Sequence, residues 1–248
     1  MMTAYKKFAG IYDKFMRDIP YGSWAAYVIK RLKKYGVRAG NGTLLLELGC
    51  GTGSMSRYFC MEGYEVVGID ISDSMVKEAS HKLIPGFEAY IADMRIPFLE
   101  RESCDGVVSL CDTMNYLTSV SDLRLTMRAV SEQLKQGGVF LFDMKTDSFY
   151  RKELGDNVFA DRCGRDSYIW ENHYDTKRHI NVYDITFYHR IAGRVCTSFT
   201  ERHVQRAFSK RQVAIEAARY GLSLKEYRVR GERAFYIFKK RLTDEEIL

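Results

Sequence analysis

Long apolar runs are missing from this chain of 248 residues. No stretch approaches the roughly eighteen residues that a membrane-spanning helix needs. The first residues, MMTAYKKFAGIYDKF, are polar and aromatic where a signal peptide would be apolar. The expectation is a cytoplasmic protein with no membrane partner. Metal-site signatures are missing too. The six cysteines, Cys50, Cys60, Cys104, Cys111, Cys163 and Cys196, form no CxxC pair and no Cys/His spacing suited to zinc, and there is no HExxH. Reduced thiols and no metal are expected, which leaves the sequon Asn41-Gly42-Thr43 as a turn. Repeats and low-complexity tracts are absent.

What is present is ordinary globular composition, 46% hydrophobic and 28% charged, with length enough for one large α/β domain and an appended subdomain. The net charge of +6 includes basic clusters at Lys30, Arg31, Lys33, Lys34 and Arg38 and at Lys239 to Arg241. Such clusters attract RNA or anionic substrates, or simply form a solvated face, so charge alone decides nothing.

Residues 4–17, with Tyr5, Phe8, Tyr12, Phe15 and Met16, and residues 23–35 have helical spacing, separated by Ile19-Pro20-Tyr21-Gly22. From residue 43 short apolar runs alternate with helical segments: TLLLELG, SMSRYFCMEG, YEVVGID, SDSMVKEASHKL, FEAYIAD, CDGVVSL, SDLRLTMRAVSEQLK and GGVFLFDM. Such alternation predicts parallel strands joined by crossover helices in a doubly wound sheet. Ser72 and Ser121 read as N-caps, Gly63 and Gly137 as helix stops. After Asp143, SYIWENHYD, HINVYDITFYHR and VCTSFTERHVQRAF are aromatic and β-branched, and predict three antiparallel strands inserted as a flap. A helix from Ser209 to Gly221 and two strands, LKEYRVR and AFYIFKK, complete the chain.

The chemistry gathers at LLLELGCGTGSM, residues 44–55, where a strand ends in a turn carrying Gly49, Gly51 and Gly53. In an open α/β sheet, ligands bind beyond the carboxyl ends of the strands, where glycines admit the ligand and the next helix offers free N–H groups. A dinucleotide turn follows GxGxxG/A, whereas here the glycines run GxGxG and Ser54 takes the next place. Glu47 would repel a pyrophosphate, but it favours S-adenosylmethionine, which carries a sulfonium and an α-ammonium and no phosphate. Asp70, about twenty residues beyond Gly49, ends the second strand, where a carboxylate accepts both ribose hydroxyls. Asp93, ending FEAYIAD, is placed to accept from the adenine amino group, with Ile71 and Met94 as walls for the ring. Taken singly these acids also cap turns; their grouping around one glycine turn argues for the ligand.

Together, LLLELGCGTGSM, VVGIDISDSMV, IADMR, CDGVVSLCDTMNYL and LKQGGVFLFDM resemble the successive motifs of a class I S-adenosylmethionine-dependent methyltransferase. YKKFAGIYDKFM, PYGSWAAYV, ADMR and CDTMNYL narrow the resemblance to bacterial small-molecule-type enzymes related to amino-sugar N,N-dimethyltransferases. The resemblance implies a Rossmann-like seven-stranded sheet with the last strand antiparallel and an auxiliary antiparallel sheet over the active site. Cofactor contacts then fall on Glu47, Gly49, Cys50, Gly51, Gly53, Asp70, Ile71, Met75, Asp93, Met94 and Cys111, and Tyr12 lies over the cofactor. The expected division is residues 1–40 as N-terminal helices closing the site, 41–150 and 208–241 as the methyltransferase domain, and 151–207 as the β subdomain.

Methyl transfer is an in-line displacement that needs alignment of acceptor, methyl and sulfur, with no covalent enzyme intermediate. Asp112, Asn115 and Tyr116 follow Cys111, and Asp143 ends the fifth strand; Tyr12, Tyr21 and Trp24 can close the site. A cationic amine would suit Asp112 or Asp143 and an aromatic lining, its proton leaving to Asp112, Tyr116 or water. His173, His179, His189 and His203 receive no role, and Tyr168, Trp170, Tyr174 and Phe187 read as the flap's packing face. The expected function is methylation of a small-molecule amine. The alternatives are an RNA methyltransferase of the same fold or a non-catalytic cofactor-binding protein. Nucleic-acid amine enzymes carry an Asn/Asp-Pro-Pro-aromatic turn and cytosine-C5 enzymes a Pro-Cys nucleophile. Here the position reads SLCDTMNY, and the only prolines are Pro20, Pro85 and Pro97.

Overall fold

The computed structural model describes residues 9–193 and 195–242. Tyr5 and Phe8 of the first helical stripe lie outside the described residues. Helices α1 (Ala9–Phe15) and α2 (Tyr21–Lys34) precede β1 (Leu44–Leu48). Then follow α3 (Ser56–Glu62), β2 (Glu65–Asp70), α4 (Asp73–His81), β3 (Phe87–Ile91), β4 (Cys104–Ser109), α5 (Val120–Gln133) and β5 (Leu134–Lys145). A short α6 (Asp147–Phe149) and a π turn lead into β6 (Val158–Cys163), β7 (Asp166–Asp175), β8 (Ile180–Ala192) and β9 (Val195–Arg206). The chain then closes with α7 (Lys210–Ala218), β10 (Leu222–Arg230) and β11 (Arg233–Lys240).

The main sheet has seven strands in the order β10-β11-β5-β4-β1-β2-β3. All run parallel except β11, which pairs antiparallel with both β5 and β10. Alternation along each strand sends side chains to opposite faces. Leu46, Leu48, Phe140, Phe142, Tyr236 and Phe238 pack on the α5 and α7 side, while Leu45, Val139, Leu141 and Ile237 pack on the α2 and α3 side. Glu47, Asp143 and Arg233 share the parity of that second set, and so arrive together at one face of the sheet's edge.

The flap is a separate sheet in the order β6-β7-β8-β9. It has four strands where three are expected: VFADRC lacks an apolar alternation, with Val158 65% exposed, and only its pairing with β7 makes it a strand. The inner face of the flap carries Tyr183, Ile185 and Phe187, against which Ile11, Tyr12, Phe15 and Met16 of the N-terminal segment pack with Tyr168 and Trp170.

Several local expectations shift. The first helix spans Ala9–Phe15 within the expected 4–17, and α2 starts at Tyr21, directly after Pro20. Ser72 caps α4 by accepting from Met75 N–H, and Gly63 ends α3 in the left-handed region. The cap of α5 is Ser119, accepting from Asp122 N–H, and Ser121 is inside the helix. Gly137 is no helix stop: α5 ends at Gln133 and Gly137 lies within β5 at a φ of 72°. Ser209 caps α7 in a reciprocal box with Gln212. Among the described residues no helix is long and apolar enough to cross a membrane.

Candidate active site

The turn after β1 is held from beneath. Gly49 N–H and Cys50 N–H both donate to Ile69 O, at 2.7 and 3.1 Å, and Gly51 N–H donates to Asp70 Oδ2 at 3.0 Å. Gly49 has a φ of 68°, and a Cβ there would stand 2.2 Å from Thr113 Cγ2. Gly51 also has a positive φ, 54°, but a Cβ there would meet nothing within 4 Å. Gly49 is glycine because protein crowds it; Gly51 leaves open a cradle into which a ligand can bring its own atoms. Gly53 faces the Phe87 ring, and Cys50 is buried beside Gly68. Glu47 is 2% exposed and accepts from Ser56 Oγ. Burial, with Asp70 nearby, pushes its pKa up to about 8, so the carboxyl is mostly protonated at neutral pH until a cation approaches it.

Asp70 ends β2 with one oxygen on Gly51 N–H and the other on Ser72 N–H, at 2.9 Å. Burial raises its pKa against those two bonds. Ile71 beside it is 53% exposed, an apolar surface available to a ring. Asp93 follows β3 as expected, but its carboxylate is gripped by Arg95, Nε to Oδ1 at 3.0 Å and Nη2 to Oδ2 at 2.6 Å, and is held below the usual carboxylate range. Arg95 reaches on to Asp122 at 2.7 Å. Met94 packs against the main core, and Met75 is only 2% exposed, inside the first turn of α4. The open cradle at Gly51, the paired acidic ends and exposed Ile71 fit a nucleoside with a cationic tail.

Beyond β4, Cys111 and Asp112 both have a φ of 58°. Two consecutive non-glycine residues in the left-handed region are costly and persist only where surrounding contacts impose them. Those contacts are a buried charge network. Asp112 Oδ1 receives Arg233 Nη1 at 2.8 Å, Oδ2 receives Gln205 Nε2 at 2.8 Å, and Lys145 Nζ stands 3.5 Å from Oδ2. Arg233 Nη1 also donates to Asp143 Oδ2 at 2.7 Å, while Asp143 Oδ1 accepts from Asp112 N–H. Burial would raise the Asp112 pKa, but Lys145 and Arg233 outweigh it and hold the carboxyl below its ordinary value. Asp112 is therefore anchored, and poorly basic. Arg233 is sandwiched from its other side by the Trp24 ring, 4.9 Å from the centroid.

Tyr116 points to the flap. Its hydroxyl is 2.9 Å from His203 Nδ1 and 3.1 Å from Tyr183 Oη, and the Tyr183 ring stacks on His203 at 4.7 Å. Burial drives the His203 pKa down to about 4 against the pull of Asp112 and Asp184, so the imidazole is neutral at physiological pH. Asn115 is buried and structural: its amide donates to Lys145 O and Arg206 O and accepts from Lys145 N–H, tying β5 to β9. Tyr12 hydrogen-bonds Tyr21, whose phenol burial raises in pKa beside Cys111. Asp13 of α1 accepts from Thr52 Oγ1 at 2.6 Å and pairs with Lys82 at 2.6 Å, fastening the N-terminal helix over the glycine turn. A cleft of about 810 Å³ bounded by Asp13, Ser54, Arg57 and Lys82 opens on the α3 side, and neither Asp70 nor Asp93 lines it.

Sequence reasoning misses Arg233, Lys145, Gln205 and Asp13 and gives His203 no role. For Arg233 the signal is topological: because β11 runs antiparallel, its first residue pairs with Lys145 at the carboxyl end of β5.

The family described as a methyltransferase domain matches residues 45–138, which span β1 to the turn within β5. A putative methyltransferase of Geobacillus sp. (strain WCH70) is 32% identical over 194 residues, 75% of this chain and 75% of that protein. The dTDP-4-amino-2,3,4,6-tetradeoxy-D-glucose N,N-dimethyltransferase of Saccharopolyspora spinosa is 32% identical over 135 residues, 54% of this chain and 53% of that one. The crystal structure of an S-adenosylmethionine-dependent methyltransferase from Clostridium acetobutylicum superposes with a TM-score of 0.82 at 27% identity, covering 95% of this chain and 98% of that chain. With the GxGxG cradle, the acidic strand ends and the reversed β11 in place, this chain belongs to the class I S-adenosylmethionine-dependent methyltransferases.

Proposed function

We propose that this enzyme methylates a nitrogen of a small-molecule amine. The observation that carries the reading is the roof of the site: β8 and β9 of the flap bring Tyr183 and His203 onto Tyr116, so aromatic side chains of the flap cover the loop after β4. The N-methylating sugar enzyme of Saccharopolyspora spinosa supports the choice of nitrogen.

S-adenosylmethionine, when bound, supplies an electrophilic methyl group on a sulfonium. The chain's residues bind and orient around it. Glu47 and Asp70 receive the cofactor's cationic and ribose groups, Gly51 opens the cradle, and Ile71 and Met94 flank the base. Tyr12 and Tyr21, within the N-terminal segment of residues 1–40, close over the cleft and exclude water. The network of Asp112, Arg233 and Asp143 holds the loop after β4 in its strained form, which aims Tyr116. Tyr116 Oη accepts an N–H of the amine and so orients its lone pair, and the proton that the methylated ammonium sheds leaves to water. Asp112, drawn into ion pairs, anchors and does not take the proton.

The test is a screen of amines, amino sugars, alcohols and carboxylates, read by release of S-adenosylhomocysteine and by product mass. Turnover of amines is expected, with Tyr116→Phe lowering kcat about a hundredfold and leaving cofactor affinity unchanged. Turnover confined to hydroxyl or carboxyl acceptors would end the nitrogen reading.

A further inference from the structure

One of the ties between the flap and the main sheet ends on a strained residue. Gln205 of β9 is fully buried and donates from Nε2 to Asp112 Oδ2 at 2.8 Å. Its Oε1 accepts from Tyr150 Oη at 2.9 Å, and Tyr150, in the π turn that leads into the flap, is fully buried too. These hydrogen bonds can run in one sense only. Asp112 is held ionised by Lys145 and Arg233 and can only accept, so it takes the NH₂ end of the amide. The carbonyl end is left for Tyr150, whose phenol burial keeps protonated. A flipped amide would set a carbonyl against a carboxylate in a buried site, which is costly.

The left-handed φ of 58° at Asp112 needs contacts to hold it. Arg233, Asp143 and Lys145 supply them from the main sheet, and Gln205 from the flap. The next residue carries this posture to the glycine turn. Thr113 Oγ1 donates to Leu110 O at 2.9 Å and lies 3.4 Å from Gly49 O, and its Cγ2 would stand 2.2 Å from a Cβ on Gly49. The loop after β4 thus leans on the cofactor turn at one side and on the flap at the other.

We infer that Gln205 is a positioning residue that couples the flap to the cofactor turn: with Tyr150 fixing the sense of its amide, it holds Asp112 in the left-handed form in which Thr113 braces Gly49. This goes beyond the choice of nitrogen and is the same for any methyl acceptor under the flap. Without the tie the loop relaxes for part of the time, and the apparent cofactor affinity falls with the fraction of molecules still braced. By reciprocity, a cofactor bound at the turn steadies the flap.

The full chain, parent and variants, is titrated with S-adenosylhomocysteine by calorimetry, and backbone hydrogen exchange is followed by mass spectrometry with and without that ligand at saturation. In the parent, the ligand is expected to slow exchange in the glycine turn and also in β9. Gln205→Met weakens S-adenosylhomocysteine about tenfold, and at saturation it keeps the protection of the turn while losing that of β9. Tyr150→Phe leaves the ring stacked on Tyr174, removes only the hydroxyl, and weakens binding several-fold. The double variant binds no more weakly than Gln205→Met alone, because both changes cut one connection; independent structural losses would add. Ligand binding to the parent that leaves exchange in β9 unchanged, a Gln205→Met protein with the parent's affinity, or additive losses in the double variant overturns the inference. If Gln205→Met does not fold, Tyr150→Phe decides alone: a several-fold loss of affinity with weakened protection of β9 sustains the inference, and parental behaviour overturns it.

Discussion

Glu47 shows how burial changes the meaning of a charge that is plain in the sequence. An exposed carboxylate would be ionised at every physiological pH; this one, with its pKa pushed up to about 8, binds a proton that an incoming cation must displace. Below pH 8, cofactor binding is expected to release a proton and strengthen by about tenfold per pH unit, flattening above pH 8. Calorimetry in buffers of different ionisation enthalpy measures that proton, and Glu47→Gln should remove this component. The same shift has a stability consequence. Because the folded pKa lies above the unfolded value, the folded state holds more protons between about pH 4.5 and pH 8, so Glu47 costs stability increasingly as pH rises through that window. Glu47→Gln without ligand should therefore gain more in melting temperature at pH 8.5 than at pH 5.5. The two glycines of the turn separate fold from binding. Gly49→Ala drives a methyl group into Thr113 at a left-handed φ and is expected to lose about 2–4 kcal/mol in denaturant unfolding. Gly51→Ala bears only the backbone strain, about 1 kcal/mol, yet fills the cradle, so its loss should appear chiefly as weaker binding of S-adenosylhomocysteine.

At the scale of elements, the reversal of β11 matters most. It delivers Arg233 to the edge where β4 and β5 end, and there one guanidinium nitrogen serves Asp112 and Asp143 together. Removing that cation leaves the two buried carboxylates with Lys145 alone to offset them. Arg233→Met is expected to destabilise by about 3–5 kcal/mol at neutral pH and by less at pH 5, where a carboxyl can protonate. Equal losses at both pH values in urea unfolding would show that packing, and not charge, is what Arg233 supplies. The flap is bound to this edge by polar contacts, Gln205 to Asp112 and Asn115 to Arg206, and α1 by Asp13 to Thr52. The strand alternation that marks β7, β8 and β9 is readable in the sequence; β6 is not, because an edge strand with polar residues on both faces carries no period.

For the whole molecule, part of the positive charge in the basic clusters is paired. Arg31 and Lys34 of α2 both reach Glu226 on β10, Lys33 reaches Glu62, and Lys240 reaches Glu102. Basic clusters partly paired in this way hold few phosphates, and the protein is expected to show no retention on bulk RNA at about 0.15 M salt, with a shallow slope of log affinity against log salt at lower concentrations. A steep slope in a filter-binding titration would restore a polynucleotide acceptor.

The parts of this enzyme legible from residue order are those whose cause is local. A positive φ demands glycine at the turn, an alternating run demands a strand, and an acid at a strand end is recognisable within a few residues. Glu47, Gly49, Gly51 and Asp70 stand out for that reason, and so does the doubly wound order of the first strands. What folding alone decides is which distant groups meet and in what protonation state. Arg233 reaches Asp143 across a separation of 90 residues, and Tyr116 reaches His203 across 87. Residue types set the available charges, but desolvation and neighbours choose among them: the same burial that protonates Glu47 leaves Asp112 ionised, because Lys145 and Arg233 stand beside it. Electrostatics inside a protein depends on distances through the packed interior, and those exist only once the chain has closed.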